Sequence, residues 1–433
     1  MSPMQLSSSG GHRASLPFGV MLMLAWRNLW RQRRRTLITL TSIAFGFGLA
    51  VVMIGLGDGA HNSMIRNAIK LGEGHITVQP RGYLESPANH RFLADGEALA
   101  AKIRSLGVPG RVEPRISLQV LASTPANSVG AALEGLASAD DERVRMLKPR
   151  LVEGEWFAPG DARGIVIGDG MARKLKAGVG AKVVLMAGKQ GGDSQAQLGR
   201  VRGIFDSKVD ELDDFLVLAD IGLARLFLEG EGADATKAPV TRFAIFLDNP
   251  DTLPTWSARL KAGLDNDQVV ALDWREMMPQ LVQFVFIDDA GNYVFLLLIL
   301  VLVVFGIVNT VLMSVLERTR EFGLLRALGL GRRHLLMLVF CESLLLGLLA
   351  VVIGWIFGGG AHLWFAHAGI DVGALMGDST AMMGTFMDPV IHTELSSQRV
   401  LQLTLIIFAA TLGSGIYPAI KAARVTPVHA LRT

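Results

Sequence analysis

A charged segment lies between two long apolar stretches of this chain, and its residue types point to binding chemistry. In residues 317–333, Arg and Glu side chains surround Phe322, Leu325 and Leu328, which recur at helical spacing. A short helix with charges of both signs can make charge-assisted contacts, while its apolar side chains enter a pocket of the partner. We call residues 317–333 the hook and predict that another protein binds it.

Residues suited to catalysis or metal binding form no recognisable arrangement. His61, His75 and His90 lack the spacing of metal ligands, so a structural or solvated role is the favoured interpretation for each. The acidic run 210–214 suits a cation or a basic partner, although a solvated turn is the favoured interpretation. The sequence therefore predicts no enzyme active site, no metal ion and no cofactor on this chain.

The sequence also contains no G-x-x-x-x-G-K-[ST] motif, because Gly188 and Lys189 are followed by Gln190. We therefore expect that the chain does not hydrolyse ATP through a P-loop of its own. An ion gradient would require ionisable groups deep in the membrane, and Glu317 and Glu342 lie near the ends of apolar stretches instead. The energy for any work is predicted to come from a partner.

Composition places the chain among integral membrane proteins, since 50% of its 433 residues are hydrophobic and 19% are charged. A bilayer core of about 30 Å takes about 20 helical residues to cross. The stretches that are long enough are residues 36–58, 290–316, 335–360 and 399–420. No basic face of the kind that binds nucleic acid stands out between them.

Arginines and lysines flank these spans unevenly. They cluster before the first span, between the second and third, and after the fourth, whereas residues 361–398 contain neither. The positive-inside rule places the termini, residues 1–35 and 421–433, in the cytosol together with the segment 317–334. Residues 59–289 and the short loop 361–398 then lie on the far side. The N-terminal segment is predicted to be an interfacial amphipathic helix or an extension of the first span.

Residues 59–289 have the composition of a globular domain. Strand-like runs are at 75–79, 116–122, 164–167, 182–186, 215–218 and 243–247, and helical patterns at 96–106, 169–175, 221–228 and 253–264. The predicted fold class is a protein of four transmembrane helices with a large α+β extracytoplasmic domain inserted between helices 1 and 2. Cys341 falls in the third span, so the domain is predicted to fold without disulfides.

The chain resembles the MacB/LolC/LolE/FtsX group of ABC transporter permeases. The family signature E-R-x-R-E-x-G-x-x-R-A-x-G is similar to ERTREFGLLRALG at 317–329, and the family's closing motif is similar to YPAIKAARVTPVHALR at 417–432. The usual entry to the first helix resembles LAWRNL at 24–29. The layout is closest to LolC and LolE, since MacB carries a fused nucleotide-binding domain in front of the permease.

The resemblance implies that the hook is the coupling helix received by a cytosolic ABC ATPase dimer, which binds ATP and Mg. The matching positions are Glu317, Arg318, Arg320, Glu321, Phe322, Gly323, Leu325, Arg326, Ala327 and Gly329. Phe322 and Leu325 are predicted to fill an apolar pocket of that partner. A second copy or a related permease completes a dimer, in which small residues such as Gly48 and Gly358 lie at the seam or face membrane lipids.

The implied function is that of a multi-pass permease subunit in a bacterial inner membrane, and not of an enzyme. It couples ATP hydrolysis by a separate ATPase to motion of its periplasmic domain. Lipoprotein or another hydrophobic cargo is favoured because GHITVQP at 74–80 looks like LolC and LolE. MacB-like efflux of small molecules or peptides, and FtsX-like regulation of a cell-wall hydrolase, are the alternatives. The candidate cargo contacts are Met53, Leu56, Val294 and Leu297, and a periplasmic lipoprotein, adaptor or chaperone is a further expected partner.

Overall fold

The structure is a computed structural model that describes residues 17–137, 141–188, 194–229, 235–328, 330–371, 381–382, 385–386 and 390–424. These residues divide into two units. The membrane unit comprises the described residues up to Ala60, Ile287–Ile370 and the described residues from Ile391 onward. The inserted domain comprises the described residues of His61–Phe286 and of Asp371–Val390.

The first described segment forms a helix of its own. Helix α1 covers Phe18–Leu29, a 3-10 turn covers Trp30–Gln32, and helix α2 covers Arg33–Ala68. Residues Met21, Ala25 and Leu29 are buried at a spacing of four, which places them on one face of α1. The N-terminal segment is therefore separated from the first long helix by the 3-10 turn.

The inserted domain alternates strands with short helices. Its strands are β1 (Ile76–Pro80), β2 (Gly110–Ser123), β3 (Ser128–Leu136), β4 (Leu151–Gly154), β5 (Gly164–Gly168), β6 (Lys182–Gly188), β7 (Ser194–Phe205), β8 (Leu216–Asp220), β9 (Arg242–Leu247) and β10 (Val269–Asp273). Its helices are α3 (Gly96–Ser105), α4 (Glu142–Leu147), α5 (Asp169–Leu175), α6 (Asp210–Phe215), α7 (Ile221–Glu229), α8 (Leu253–Leu264) and α9 (Trp274–Met277). Every predicted strand and helix of this domain is present, and β3, β4, β7, β10, α4 and α9 were not predicted.

The ten strands form one sheet, in the order β10-β1-β9-β2-β3-β8-β5-β7-β4, and β6 pairs with β2 and β7. Most pairs are antiparallel, whereas β3 with β8 and β5 with β7 run parallel. Side chains alternate between the two faces of each strand. One face carries the apolar core, for example Val78, Ile116 and Ile245. The central strands place Gln79, Arg242 and other polar residues on the opposite face.

The acidic run 210–214 is not the solvated turn that we predicted. It forms α6, and Asp213 is buried. The backbone N–H of Ser207 donates hydrogen bonds to both carboxylate oxygens of Asp213, at 2.9 and 3.2 Å. Burial raises the pKa of Asp213 despite these hydrogen bonds. This carboxylate therefore stabilises the turn before α6 and does not offer itself to a cation or a basic partner.

The histidines of the domain have structural surroundings. His75 Nδ1 accepts a hydrogen bond from the backbone N–H of Leu247 at 3.1 Å, and its ring meets Phe246 edge to face. Burial lowers the pKa of His75, so the neutral ring is favoured. His61 is buried beside Phe284, while His90 is exposed. These placements agree with the structural and solvated roles that we predicted.

The chain returns to the membrane unit through long helices. They are α10 (Pro279–Glu317), α11 (Thr319–Ala327), α12 (Arg332–Ala368) and α13 (Ser397–Ala423), with short strands β11 (Ile370–Asp371), β12 (Ala381–Met382), β13 (Thr385–Phe386) and β14 (Val390–Ile391). Within the described residues, four helical segments are long and apolar enough to cross a membrane, namely α1 with α2, then α10, α12 and α13. The predicted architecture of four spans with a large domain between the first two is confirmed.

The long helices extend beyond the apolar stretches that revealed them. Helix α2 continues to Ala68, and α10 already begins at Pro279, because Met64, Ala68 and Leu281 form a common buried cluster in the inserted domain. Helix α12 likewise continues to Ala368, past the predicted end of the third span at 360. Tertiary contacts therefore keep polar turns helical where composition alone predicts a loop.

Small residues let the membrane helices approach closely within one chain. A Cβ on Gly48 of α2 would lie 3.2 Å from the backbone nitrogen of Gly358 in α12. Gly354 lies against Phe47 in the same way, and Gly46 against Ile299 of α10. These contacts correct the two roles that we considered for Gly48 and Gly358, since they pack inside the chain and lie neither at a seam between copies nor against lipid.

Candidate functional site

The hook forms a short helix of its own between two membrane helices. Helix α10 ends at Glu317, and Arg318 leaves the helical conformation with φ −101° and ψ 13° before α11 begins at Thr319. The hydroxyl of Thr319 donates to the carbonyl of Leu316 at 2.7 Å, which satisfies one of the free carbonyls at the end of α10. Gly329 lies outside the described residues.

One face of the hook is packed into the membrane unit. Phe322 is fully buried in the apolar core of that unit, Gly323 is buried beside it, and Leu325 packs against the same core. Our prediction that Phe322 fills a pocket of a partner protein is therefore wrong. The helical spacing was recognised correctly, but the apolar stripe serves the chain's own core.

Arg318 ties the hook to the third membrane helix. Its Nη1 lies 2.9 Å from Oε1 of Glu342 in α12, and its Nε lies 3.1 Å from Oε2 of Glu321. The guanidinium also lies 5.1 Å from the ring centroid of Phe322. The Arg318 and Glu342 side chains are only 12% and 8% exposed, so this ion pair is largely removed from solvent. It fixes the position of α11 against α12.

Residues of the first helix complete this polar cluster. Asn28 of α1 donates a hydrogen bond to Oε1 of Glu342 at 2.7 Å, and Arg31 lies 2.6 Å from Glu321. Burial alone would raise the pKa of Glu321, but the hydrogen bonds from Arg31 and Arg318 outweigh burial and lower that pKa below its ordinary value. Glu321 is therefore a carboxylate that joins α11 to the first helical segment.

The start of α2 contacts the hook from the same side. Gln32 donates a hydrogen bond to Glu317, and Nη1 of Arg35 lies 3.6 Å from the Glu317 carboxylate. Arg35 also donates to the backbone carbonyls of Asn309 and Thr310 near the end of α10, the former at 3.2 Å. The junction between α1 and α2 is thus hydrogen-bonded to α10 and to the hook. We call the polar contacts of Asn28–Arg35 with the hook and Glu342 the hook cluster.

The opposite face of the hook is open. Arg320, Leu324, Ala327 and Leu328 are exposed, and their spacing places them on one side of α11 and the turn that follows it. The exposed fractions of Leu324 and Leu328 are 54% and 76%. Arg326 is half-buried. The surface available to a partner therefore consists of Arg320 with two leucines, and we call it the outer face of the hook.

Sequence reasoning missed the residues that hold the hook in place. Asn28, Arg31, Gln32 and Arg35 precede the first span, and we used their charge only to orient the chain. The signal was present, because polar residues at a spacing of three or four in 28–35 face Glu317, Glu321 and Glu342 across the unit. Partners so distant in sequence cannot be paired without a fold.

A second charged cluster lies at the other ends of the membrane helices. Arg399 of α13 makes a two-fold contact with Asp58 of α2, from Nε to Oδ2 at 3.1 Å and from Nη2 to Oδ1 at 3.0 Å. The same guanidinium reaches Asp289 at 3.0 Å and the hydroxyl of Tyr293 at 2.6 Å, both in α10. Three helices therefore meet at one side chain, and we call this group the Arg399 cluster.

The four candidate cargo residues lie on two neighbouring helices. Gly46 and Gly57 of α2 pack against Ile299 and Asn292 of α10, so the two helices run side by side over the intervening turns. Met53 and Leu56 of α2 therefore lie at about the same height as Val294 and Leu297 of α10. The exposed fractions of Met53, Val294 and Leu297 are 37%, 59% and 55%, and Leu56 is half-buried. Their role in binding cargo stays a prediction.

Two family models match this chain, and together they follow the order of its units. Residues 36–271, more than half of the chain, match the MacB-like periplasmic core domain. Residues 293–427, which include the hook and α12, match the FtsX-like permease C-terminal family. The resemblance that we drew from the motifs is confirmed.

Relatives of known type match over nearly the whole chain. The lipoprotein-releasing system transmembrane protein LolC of Neisseria meningitidis is 20% identical over 92% of this chain and 94% of its own length. LolE of Haemophilus influenzae, of the same system, is 22% identical over 94% and 98%. The macrolide export ATP-binding/permease protein MacB of Pasteurella multocida is 24% identical over 94% of this chain but only 59% of its own length. The chain is therefore a multi-pass membrane protein that belongs to the MacB/LolC/LolE type of ABC transporter permeases.

Proposed function

We propose that this permease transmits ATP-driven movement from a P-loop ATPase, supplied by another polypeptide, through the hook to the inserted domain. The observation that carries the proposal is the division of the hook into two faces. Its inner face, with Phe322 and Arg318, is packed and ion-paired within the membrane unit. Its outer face presents Leu324 and Leu328 at the surface.

The outer face has the composition of a protein contact. Complete burial of a leucine side chain stabilises a complex by about 1.5–3 kcal/mol, so two leucines supply a useful apolar contact. Arg320 beside them can form a charge-assisted hydrogen bond with a carboxylate of the partner. This surface replaces Phe322 and the buried carboxylates as the part of the hook that we assign to the ATPase.

The distribution of basic residues supports a cytosolic position for the hook. Arg31, Arg35 and Arg318 all lie at the hook end of the membrane helices, where the positive-inside rule places the cytosol. With the hook in the cytosol of a bacterium, the inserted domain lies in the periplasm. An ATPase bound to the hook would then act across the inner membrane on the domain.

Contacts of the inner face give the movement a path. Because Arg318 binds Glu342, a displacement of α11 shifts α12. Because Arg31 and Gln32 bind carboxylates of the hook, the same displacement shifts the start of α2. Helix α2 is continuous from Arg33 to Ala68, and its last residues belong to the inserted domain. A permease dimer, of one chain or of two related chains, would place one hook against each ATPase of a dimer.

The cargo that we propose is a lipoprotein or another hydrophobic molecule. Support comes from the relatives named as lipoprotein-releasing proteins, which match this chain over nearly their full length. Exposed apolar side chains on α2 and α10, including Met53 and Val294, suit an acyl chain. Macrolide export is the printed activity of the MacB relative, and it requires the same ATP-driven movement with a different cargo.

The ATPase contact can be tested on the outer face. The double variant Leu324→Arg/Leu328→Arg places charge on that face and leaves the inner contacts intact. We expect the full-length variant, purified from its native host, to lose most of the ATP hydrolysis that co-purifies with the wild type. The matched control is Leu198→Arg, the same exchange at a partly exposed strand position of the inserted domain. Equal ATP hydrolysis in the wild type and the double variant would contradict the proposal.

The cargo can be tested independently of the ATPase contact. A photoreactive amino acid at Val294 or Leu297 should crosslink to acylated protein in native membranes. The control position is Leu363, which is similarly exposed but lies near the far end of α12. If Leu363 captures acylated protein as often as Val294, lipoprotein is not the cargo of this surface.

A further inference from the structure

A cavity of about 460 Å³ lies within the inserted domain, on the polar face of its sheet. Its walls include Gln79 of β1, Glu134 of β3, Arg242 of β9 and Arg143 of α4. Cavities that bind small ligands in proteins range from about 300 to 1,000 Å³. This one is therefore large enough to hold a ligand, and none of the functions proposed above uses it.

Gln79 is the feature of the cavity that calls for a ligand. Its side chain is only 1% exposed, yet neither its amide nitrogen nor its amide oxygen has a hydrogen-bond partner among the described residues. A buried polar group without a partner costs about 1–3 kcal/mol. Alternation along β1 directs Gln79 away from the apolar core that holds Val78, and Gln79 lines the cavity.

The charged groups of the cavity are paired with one another. Glu134 lies 3.0 Å from Arg143 and 2.9 Å from Arg242, and Arg143 also donates a hydrogen bond to the carbonyl of Leu71. Burial alone would raise the pKa of Glu134, but the two guanidinium groups lower it to about 2. Glu134 is thus a carboxylate already neutralised by the chain. The hydrogen-bonding capacity left for a ligand is that of the neutral amide of Gln79.

The remaining walls are apolar and adaptable. Leu71, Tyr83 and Leu216 are each only 7% exposed, and Met277 and Met278 are half-buried on the opposite side. Methionine side chains are unbranched and polarizable, so they fit irregular apolar partners. The ligand must therefore combine an uncharged hydrogen-bonding group with apolar substituents.

We propose that this cavity binds a short peptide segment with apolar side chains, whose backbone amide pairs with the side-chain amide of Gln79. A peptide amide offers a donor and an acceptor next to each other, which complements the two unpartnered atoms of Gln79. A carboxylate would satisfy only the donor, and a hydrocarbon would satisfy neither. The proposal goes beyond the coupling function, because binding in this cavity requires neither the hook nor an ATPase.

The test uses the full-length protein in lipid nanodiscs and N-acetyl-leucyl-leucine amide as the probe, measured by calorimetric titration against empty nanodiscs. We expect Gln79→Leu to weaken binding by about tenfold, since two hydrogen bonds are lost. Gln119→Leu is the matched control, because Gln119 is an exposed glutamine of β2 outside the cavity. It should bind the probe like the wild type.

A second probe removes the hydrogen-bond donor from the ligand instead of from the protein. Replacing the peptide's amides by esters, one at a time, should weaken binding to the wild type at one position and have no further effect in Gln79→Leu. Leu84→Trp, which narrows the cavity without touching Gln79, should also weaken binding. The proposal is overturned if the probe binds the wild type and Gln79→Leu equally. It is also overturned if the probe does not bind while Gln79→Leu raises the melting temperature, because the cavity then holds water only.

Discussion

The two ends of the membrane unit are both closed by charged side chains, but they are built differently. At the hook end, Arg318 and Glu342 are paired out of solvent, and Asn28, Arg31 and Gln32 add separate contacts from the first helical segment. At the other end, the described contacts converge on Arg399, whose side chain is 20% exposed.

The difference indicates different mechanical roles. Contacts spread over many residues keep the hook attached when one of them is lost, as a segment that receives force requires. Contacts that meet at Arg399 can be released together by a small displacement of α13, as helices that separate during a cycle require. We therefore expect the hook cluster to stay intact during ATP turnover, and the Arg399 cluster to open and close.

The largest effect is expected at the buried pair of the hook cluster. Replacement of Glu342 by Ala leaves Arg318 without its buried partner, which should destabilise the membrane unit by about 3–5 kcal/mol. Denaturant titration of the purified protein in mixed micelles measures this change. The double variant Arg318→Met/Glu342→Leu is the control, because it removes both charges and should recover most of the loss. An equal loss in the single and double variants would mean that the pair does not hold the hook.

A smaller effect is expected at the Arg399 cluster. Arg399→Gln removes the two-fold contact with Asp58 and the contact with Asp289, and should cost about 2 kcal/mol. Arg399→Lys keeps the charge but not the forked geometry, so it should recover only part of that loss. The comparison between the two ends fails if Arg399→Gln destabilises the protein more than Glu342→Ala does.

Much of the fold could be predicted, because strong local signals coincide with buried elements. Strand β9 (RFAIFL) is apolar and rich in aromatic residues, and it lies in the middle of the sheet, where every residue is buried. Strands β3 (SVGAALEGL) and β7 (SQAQLGRVRGIF) were missed because glycine, alanine and polar residues dilute the strand signal. Their position depends on pairing with neighbours that are distant in sequence.

The site was predictable in place but not in orientation. The charges of the hook and its family signature located it between the second and third spans. The sequence could not tell which apolar residues face inward, and so Phe322 was assigned to a partner while Leu324 and Leu328 were overlooked. Arg399 was missed for a related reason, since its partners Asp58 and Asp289 lie on two other helices.

The most direct test of the central claim asks whether the hook stays attached while ATP is hydrolysed. Arg31 and Glu321 suit this test, because their side chains are 62% and 40% exposed and such pairs contribute little stability. Both are changed to Cys in a Cys341→Ala background, and a short bifunctional thiol reagent then joins the hook to the first helical segment.

The measured quantity is the ATP turnover of the purified permease with its bound ATPase, before and after crosslinking, with each single Cys variant treated in parallel. Our account predicts unchanged turnover in the crosslinked double variant, because the hook and the first helical segment move together. Loss of turnover on crosslinking, with the single variants unaffected, would show that the hook must leave the first helical segment and would contradict the account.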